Sequence, residues 1–283
     1  MVNINKKLDG VFTIAEIGLN HNGSLKSALS HVKAAKQAGC DAVKFQTYKT
    51  EKRIQNPNSD LIPLLKSLEL SYKDFEEIKN FSDSIGIEFF STAFDEEAID
   101  FLSSIGVDLF KVASFDTSND DLFEALLRVA DKIIFSTGMT ELEVIKSLIK
   151  KVNNKVSFLG VLHCVSSYPT PIDKARLSNI SALKLKFPDV VIGYSDHTQE
   201  ILAPIISVGL GARIIEKHFK LSEDYECVDA QVSIGPEKMK QMVKNINEAY
   251  LMIGEDFFGI TEIEKKAMMF KRTGLKAWAW LLL

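Results

Sequence analysis

Apolar positions fall into two alternating patterns along the chain. Short runs rich in Val, Ile and Phe occupy 11–18, 42–47, 87–94, 109–114, 132–138, 156–164, 190–196 and 212–219. Between them apolar residues recur every three or four positions, the period of an amphipathic helix. Segment 24–39 places Leu25, Leu29, Val32 and Ala35 near one face and ends at Gly39. Segment 72–86 does the same with Phe75, Ile78, Phe81 and Ile85, closed by Gly86. Helical patterns over 95–106, 140–152 and 236–254 continue the series.

Strands that alternate with helices build parallel βαβ units. Near-continuous apolar strands such as KIIFS and VVIG suit a sheet covered on both faces. A doubly wound dinucleotide-binding sheet would carry GxGxxG after its first strand, whereas this chain reads GLNHNGS there. The expected class is therefore α/β, a closed (β/α)8 TIM barrel over residues 1–260, with a tail over 261–283. Segment 49–71 exceeds the usual βα connection of ~2–6 residues and predicts a loop with a short helix over the barrel mouth.

Composition narrows the partners. Hydrophobic residues make up 46% of the chain and charged residues 25%, which is globular rather than disordered. A net charge of −4 argues against nucleic acid or an anionic membrane as a partner held by bulk charge. Cys40, Cys164 and Cys227 are odd in number and widely spaced, as expected of reduced thiols. No signal-peptide core stands at the N-terminus and no apolar run approaches the ~20 residues of a membrane span. These features predict a soluble, cytoplasmic protein.

The strand ends change the picture. The stretch ARIIEKHF (212–219) finishes an apolar run with Glu216, Lys217 and His218, and several other strands end in polar residues too. In a (β/α)8 barrel the C-terminal strand ends form the mouth, where polar groups are hydrated or meet a ligand. There the barrel would gather Glu16, Asn20 and His21, then Lys44 and Gln46, Ser91 and Thr92, and Lys111, Ser114 and Asp116. Ser136 and Thr137, His163, Ser166 and Tyr168, Ser195, Asp196 and His197, and Glu216 and His218 complete the ring.

Each feature admits a structural and a functional reading. His197 and His218 end neighbouring strands and can share a metal ion, or each can be a hydrogen-bonded structural residue. Asp196 and Glu216 are of the type that orients imidazoles from behind. Lys44 and Lys111 interrupt apolar strands, where an unpaired ammonium is costly, so they serve either a salt bridge to Glu16 or Asp116 or the binding of an anion. His31 is expected on a helix surface, and His163 suits core and site equally. His163 and Cys164 are adjacent on one strand and face opposite ways, so they form no nucleophile pair. Two ammonium groups, two imidazoles and several hydroxyls suggest a small anionic substrate with a divalent metal.

The words IAEIGLNHNGSL, DAVKFQTYK, FFSTAFDEEAIDFL, FKVASFD, STGMT, LHCVSSYPTP, IGYSDHT and IEKHF, in order across about residues 11–254, resemble the sialic acid synthase (N-acylneuraminate synthase) family. The resemblance implies a (β/α)8 barrel that condenses phosphoenolpyruvate with N-acetylmannosamine or a related amino sugar, giving a nine-carbon 2-keto acid and phosphate. It implies His197 and His218 as ligands of Mn2+ or Mg2+, and Lys44 and Lys111 near the carboxylate and phosphate of phosphoenolpyruvate. It further implies substrate contacts at Gln46, Thr92, Ser114, Ser136 and Ser195, and an acidic site residue at Glu16. Asp116 would assist water addition, Asp229 would hold the sugar acceptor, and Tyr168 would lie among the acceptor contacts. A homodimer is the family's expected assembly.

Two departures shape the expectations. ECVDAQVS around Asp229 is shorter than the family's usual acceptor word, which admits a legionaminic-type or pseudaminic-type acceptor. The family also continues into an antifreeze-like domain that supplies an arginine to the partner's acceptor site. Here FKRTGLKAWAWLLL abandons that pattern, as a truncated or frame-shifted terminus would, and predicts weak acceptor binding with metal and phosphoenolpyruvate binding retained. A phosphosugar-specific synthase and a non-catalytic ligand-binding barrel are the competing readings.

Overall fold

Eight parallel strands close on themselves in the order of the chain, each hydrogen-bonded to its sequence neighbour and the last to the first. This computed structural model describes residues 4, 10–54, 56 and 58–272. The strands are β1 (Phe12–Gly18), β2 (Ala42–Thr47), β3 (Glu88–Ala93), β4 (Leu109–Val112), β5 (Lys132–Ser136), β6 (Phe158–Cys164), β7 (Val191–Asp196) and β8 (Ile214–His218). The (β/α)8 barrel expected from the alternation is the observed fold.

The helices lie between the strands: α1 (Leu25–Gln37), α2 (Thr50–Arg53), α3 (Leu61–Leu68), α4 (Tyr72–Ile85), α5 (Glu96–Ser104), α6 (Asp120–Val129), α7 (Leu142–Val152), α8 (Ser178–Lys186), α9 (Leu202–Gly209) and α10 (Pro236–Ile253). Their ends follow local chemistry. Ser71 and Asp74 form a reciprocal capping box at the start of α4, and Gly86 closes it at φ 68°, a left-handed conformation that glycine adopts without steric cost. Helices α6, α8 and α9 are not among the elements predicted above. Helix α9 (LAPIISVG) is apolar but for Ser207 and has no polar face to reveal a period, while α6 opens on Asp120 and Asp121, which read as loop. Segment 49–71 holds two short helices, α2 and α3, rather than one.

The barrel interior is packed below the mouth. Gly193 on β7 has no room for a side chain, because a Cβ there would stand 2.5 Å from both the Ile214 carbonyl oxygen and Leu162 Cδ2. That close approach lets Ile214 fill the centre of the barrel. Residues Met1–Met252 form one compact unit and Ile253–Leu283 a second. Within the second, Thr261 caps a 3-10 helix over Glu262–Phe270, its backbone N–H donating to Glu264 Oε2 at 2.8 Å. The KAWAWLLL ending lies outside the described residues. Among the described residues no helix is long and apolar enough to cross a membrane.

Candidate active site

Strand register brings distant residues side by side. Glu16 pairs with Lys44 on one flank and His218 on the other, Thr92 pairs with Lys111, and Ser195 pairs with both Cys164 and Glu216. Because side chains alternate across a strand, only every second residue faces the barrel axis. Every site candidate carried by the resemblance lines one cavity of about 530 Å³ at the C-terminal strand ends. Their neighbours of opposite parity do not. Ser91 turns away to hydrogen-bond Thr47, Thr137 lines a different cavity, and His163 is a core residue whose Nε2 meets the Ala175 carbonyl at 2.8 Å.

The cavity floor is a buried cluster of two ammonium groups and two carboxylates. Lys44 Nζ lies 2.7 Å from Glu16 Oε2 and 3.7 Å from Glu216 Oε2, and Lys111 Nζ lies 4.0 Å from Glu216 Oε1. The ion pair expected for Lys44 with Glu16 is present, whereas Lys111 meets Glu216 instead of Asp116. Lys111 also donates to Ser136 Oγ at 2.6 Å, Lys44 to Thr92 Oγ1 at 3.3 Å, and Ser195 Oγ to Glu216 Oε1 at 2.8 Å. Burial pushes the Glu16 carboxyl up to about 7, against the pull of Lys44. Burial would raise Glu216 too, but Lys111 and Lys44 hold it below the ordinary range. The cluster therefore keeps an ionised Glu216 between two cations, with polar capacity left over. Gln46 Oε1 is buried without a hydrogen-bond partner, and Glu216 Oε2 and His218 Nδ1 are buried with only ion-pair contacts at 3.7 and 3.5 Å. Such groups are costly unless something enters to meet them.

Above the floor stand the two imidazoles, with ring centroids 5.4 Å apart and planes inclined by 53°. His197 Nδ1 faces the Val165 carbonyl at 2.8 Å and Cys164 Sγ at 3.8 Å, which leaves Nε2 free. Burial first, then the field of His197, holds His218 well below the usual imidazole range, so it is neutral and keeps a lone pair. Asp229 Oδ2 lies 3.5 Å from His218 Nδ1. Against burial, Cys164 and the Val165 carbonyl raise His197 above the ordinary imidazole range, so a divalent cation held between the two imidazoles that line this cavity would displace the His197 proton. Among the described residues no third His, Cys, Asp or Glu completes a closed cage, so such an ion would keep positions for water or substrate.

The carboxylates behind the imidazoles differ from expectation. Asp196 accepts from Tyr194, Thr198 and Lys217, and Glu216 serves the lysines and Ser195, so the Val165 carbonyl orients His197 instead. Tyr168 stacks on His197 with ring centroids 4.0 Å apart, and Ser114 accepts from the Gly138 N–H at 3.0 Å. Asp116 is half-buried at the rim, in a 3-10 turn after β4. Asn20 is buried beneath, donating to the Phe219 carbonyl and Ser233 Oγ and accepting from the Asp229 N–H, and so fixes the loop that carries Asp229. His31 is buried rather than on the surface, packed edge-on against Phe219 and Tyr225. Arg53 and Cys164 also line the cavity and were not among the candidates. The lone cysteine word LHC gave a signal for Cys164, since its parity faces the axis, while Arg53 lies in a segment without periodicity.

The NeuB family model matches residues 31–257. An uncharacterized protein of Methanocaldococcus jannaschii is 44% identical over 249 residues, 88% of this chain and 73% of that protein. The N,N'-diacetyllegionaminic acid synthase of Legionella pneumophila is 37% identical, over 88% of this chain and 78% of its own length. The crystal structure of the N-acetylneuraminic acid (sialic acid) synthetase of Leptospira borgpetersenii, in complex with citrate, matches with a TM-score of 0.88 at 35% identity, covering 93% of this chain and 92% of that one.

Proposed function

The chain belongs to the NeuB family of sialic-acid-type synthases, and from that premise we propose that it condenses phosphoenolpyruvate with an N-acylated amino sugar to give a nine-carbon 2-keto acid and phosphate. The observation that carries this reading is the buried Lys44–Glu16–Glu216–Lys111 cluster at the floor of a cavity whose wall bears two facing imidazoles. An enol phosphate offers two anionic groups to that floor. Lys44 and Lys111, with the Ser136 and Thr92 hydroxyls they already touch, receive its carboxylate and phosphate. Ser114 and Ser195 add hydroxyls beside them, and Glu16 holds Lys44 in place and meets Gln46 Nε2 at 3.4 Å.

The carbon–carbon bond forms when C3 of phosphoenolpyruvate adds to the acceptor's aldehyde carbon, whose C=O π pair moves to the oxygen, there to take up a proton equivalent to the one water gives up, leaving positive charge at C2. Water then adds at C2, with Asp116 at the rim taking its proton, and the C–O bond to phosphate breaks. The lysines stabilise the departing anion by charges fixed before the reaction begins. His197 and His218 would hold Mn2+ or Mg2+, which when bound supplies Lewis acidity to the acceptor's carbonyl oxygen. Asp229 and Tyr168, on either side of the imidazoles, hold the sugar over that position. The likeness is shared by a synthase named for N,N'-diacetyllegionaminic acid and a synthetase named for N-acetylneuraminic acid, at 37% and 35% identity, which supports an N-acylated amino sugar as the acceptor class.

Incubation with phosphoenolpyruvate, Mn2+ and a panel of 2-acetamido and 2,4-diacetamido hexoses tests the reading. Phosphate release together with a nine-carbon keto acid is expected. Turnover confined to a phosphosugar, or phosphoenolpyruvate binding without turnover of any sugar, would overturn it.

A further inference from the structure

Arg53 ends the short helix α2, immediately after β2, and belongs to none of the contacts assigned above. Its guanidinium lies over two aromatic faces, 4.7 Å from the Tyr48 ring centroid and 4.1 Å from that of Phe94. Those rings come from the ends of β2 and β3 and stand 6.3 Å apart, edge to face. They hold the planar cation by its face and leave its edge, with the N–H donors, directed elsewhere. Its Nη1 is buried with no hydrogen-bond partner, and among the described residues no carboxylate lies within ion-pair distance of it. Helix α2 is itself anchored, because Thr50 donates both its N–H (2.9 Å) and its hydroxyl (2.7 Å) to Glu69 Oε2. Arg53 is therefore a fixed, unsatisfied donor on the wall of the reaction cavity.

The wall beside it is apolar. Leu61 and Leu64 of α3 line the same cavity and are 54% and 44% exposed, so their side chains are open to a ligand there. A donor edge next to an aliphatic surface matches one chemical group well: an acylamido substituent, whose carbonyl oxygen accepts and whose methyl seeks apolar cover. An enol phosphate is already matched by the lysines of the floor.

Resting on the synthase reading, we propose that Arg53 determines acceptor specificity by donating to the carbonyl of an acylamido group on the sugar, with Leu61 and Leu64 covering the acyl methyl. Arg53 thus takes the second acylamido group, which doubly acylated sugars carry and N-acetylmannosamine replaces with a hydroxyl, and so favours the former.

Steady-state kinetics of the wild type, Arg53→Met and Arg53→Lys with a 2,4-diacetamido hexose and with N-acetylmannosamine test this, with circular dichroism checking each fold. For Arg53→Met the acceptor KM should rise roughly tenfold to hundredfold, as for loss of a charge-assisted hydrogen bond, while the phosphoenolpyruvate KM stays unchanged. The preference for the diacetamido sugar should shrink by a similar factor. Arg53→Lys should recover only part of it, since an ammonium keeps the charge and loses the planar fork. Leu61→Asn should raise the acceptor KM in the same direction and serves if the arginine variants fail to fold. An equal rise in the phosphoenolpyruvate KM would overturn the proposal and assign Arg53 to the anion. An unchanged acceptor preference in an active Arg53→Met enzyme would overturn it while sparing the synthase reading. A wild type that turns over no acylamido sugar would remove both.

Discussion

Lys217 Nζ lies 2.8 Å from Asp196 Oδ2, and neither side chain has any exposed surface. Lys217 sits between Glu216 and His218, yet the two-residue period of β8 sends it to the opposite face, toward the helices. Its ammonium also donates to the Thr198 carbonyl, and Asp196 accepts from the Tyr194 hydroxyl at 2.9 Å and the Thr198 N–H at 2.8 Å. The pair ties the end of β7 to the end of β8, the two strands that present His197 and His218. Three consecutive ionisable residues at the end of an apolar strand thus have two different tasks.

This pair should show strong coupling. Lys217→Met leaves Asp196 buried without its cation, and Asp196→Leu leaves the ammonium unpaired. Each should cost about 3–5 kcal/mol in urea denaturation, whereas the double variant should lose far less than the sum. Additive losses would show that the two charges act independently.

The imidazoles should behave differently. His197→Ala and His218→Ala remove side chains at the cavity wall, so each should unfold within about 1 kcal/mol of the wild type. Mn2+ affinity, read by electron paramagnetic resonance of the free ion, should fall by about 100-fold or more, beyond the ~10–100-fold typical of groups behind a ligand. Chelation with EDTA should abolish phosphate release, and added Mn2+ should restore it. Retention of Mn2+ affinity in both variants would place the ion elsewhere.

How much of this was legible in the sequence depends on distance along the chain. The strands announced themselves because each carries its own run of Val, Ile and Phe, and polar strand ends such as YSDHT marked the mouth. Parity within a strand was available as well. It separates Thr92 from Ser91 and Glu216 from Lys217 once one residue of each strand is known to face the axis. Arg53 was hidden because its meaning comes from Tyr48 and Phe94, which belong to the ends of two separate strands. His31 was hidden for the same reason: the rings that bury it, Phe219 and Tyr225, follow β8 and arrive only when the barrel closes. Local pattern fixes elements and their polar ends, while contacts between remote loops decide which polar groups are paired.

Lys111 separates binding from stability. Lys111→Met removes the donor 2.6 Å from Ser136 Oγ but leaves Glu216 with Lys44 and the Ser195 hydroxyl. The fold should survive with a loss of about 1–3 kcal/mol for the weakened carboxylate. The Kd for phosphoenolpyruvate, measured by calorimetry, should rise roughly tenfold to hundredfold. Adding Glu216→Gln should recover stability without recovering affinity. Recovery of both would mean that Lys111 serves only to neutralise Glu216.

Glu88 gives the barrel a pH dependence remote from the cavity. It opens β3 at the N-terminal end of the strands, where burial first, and then the carboxylate of Asp108, raises its carboxyl from 4.5 to about 7. Lys79 and Lys132 face it too, but each is already engaged, Lys79 by Asp83 and Lys132 by Asp108 and Asp131. Between pH 4.5 and 7 the folded protein therefore binds a proton that the unfolded chain has released. Stability contributed by this group is complete below about 4.5 and is lost as pH rises through 7. Above that, an ionised Glu88 costs on the order of 1–2 kcal/mol, discounted for its partial exposure to water. Glu88→Gln keeps the size and removes the charge, so its Tm should exceed the wild type's by roughly 2–6 °C at pH 8 and converge with it toward pH 4.5. A gain that is equal at both pH values would come from some property of the amide other than its lack of charge, and would remove Glu88 as the titrating group.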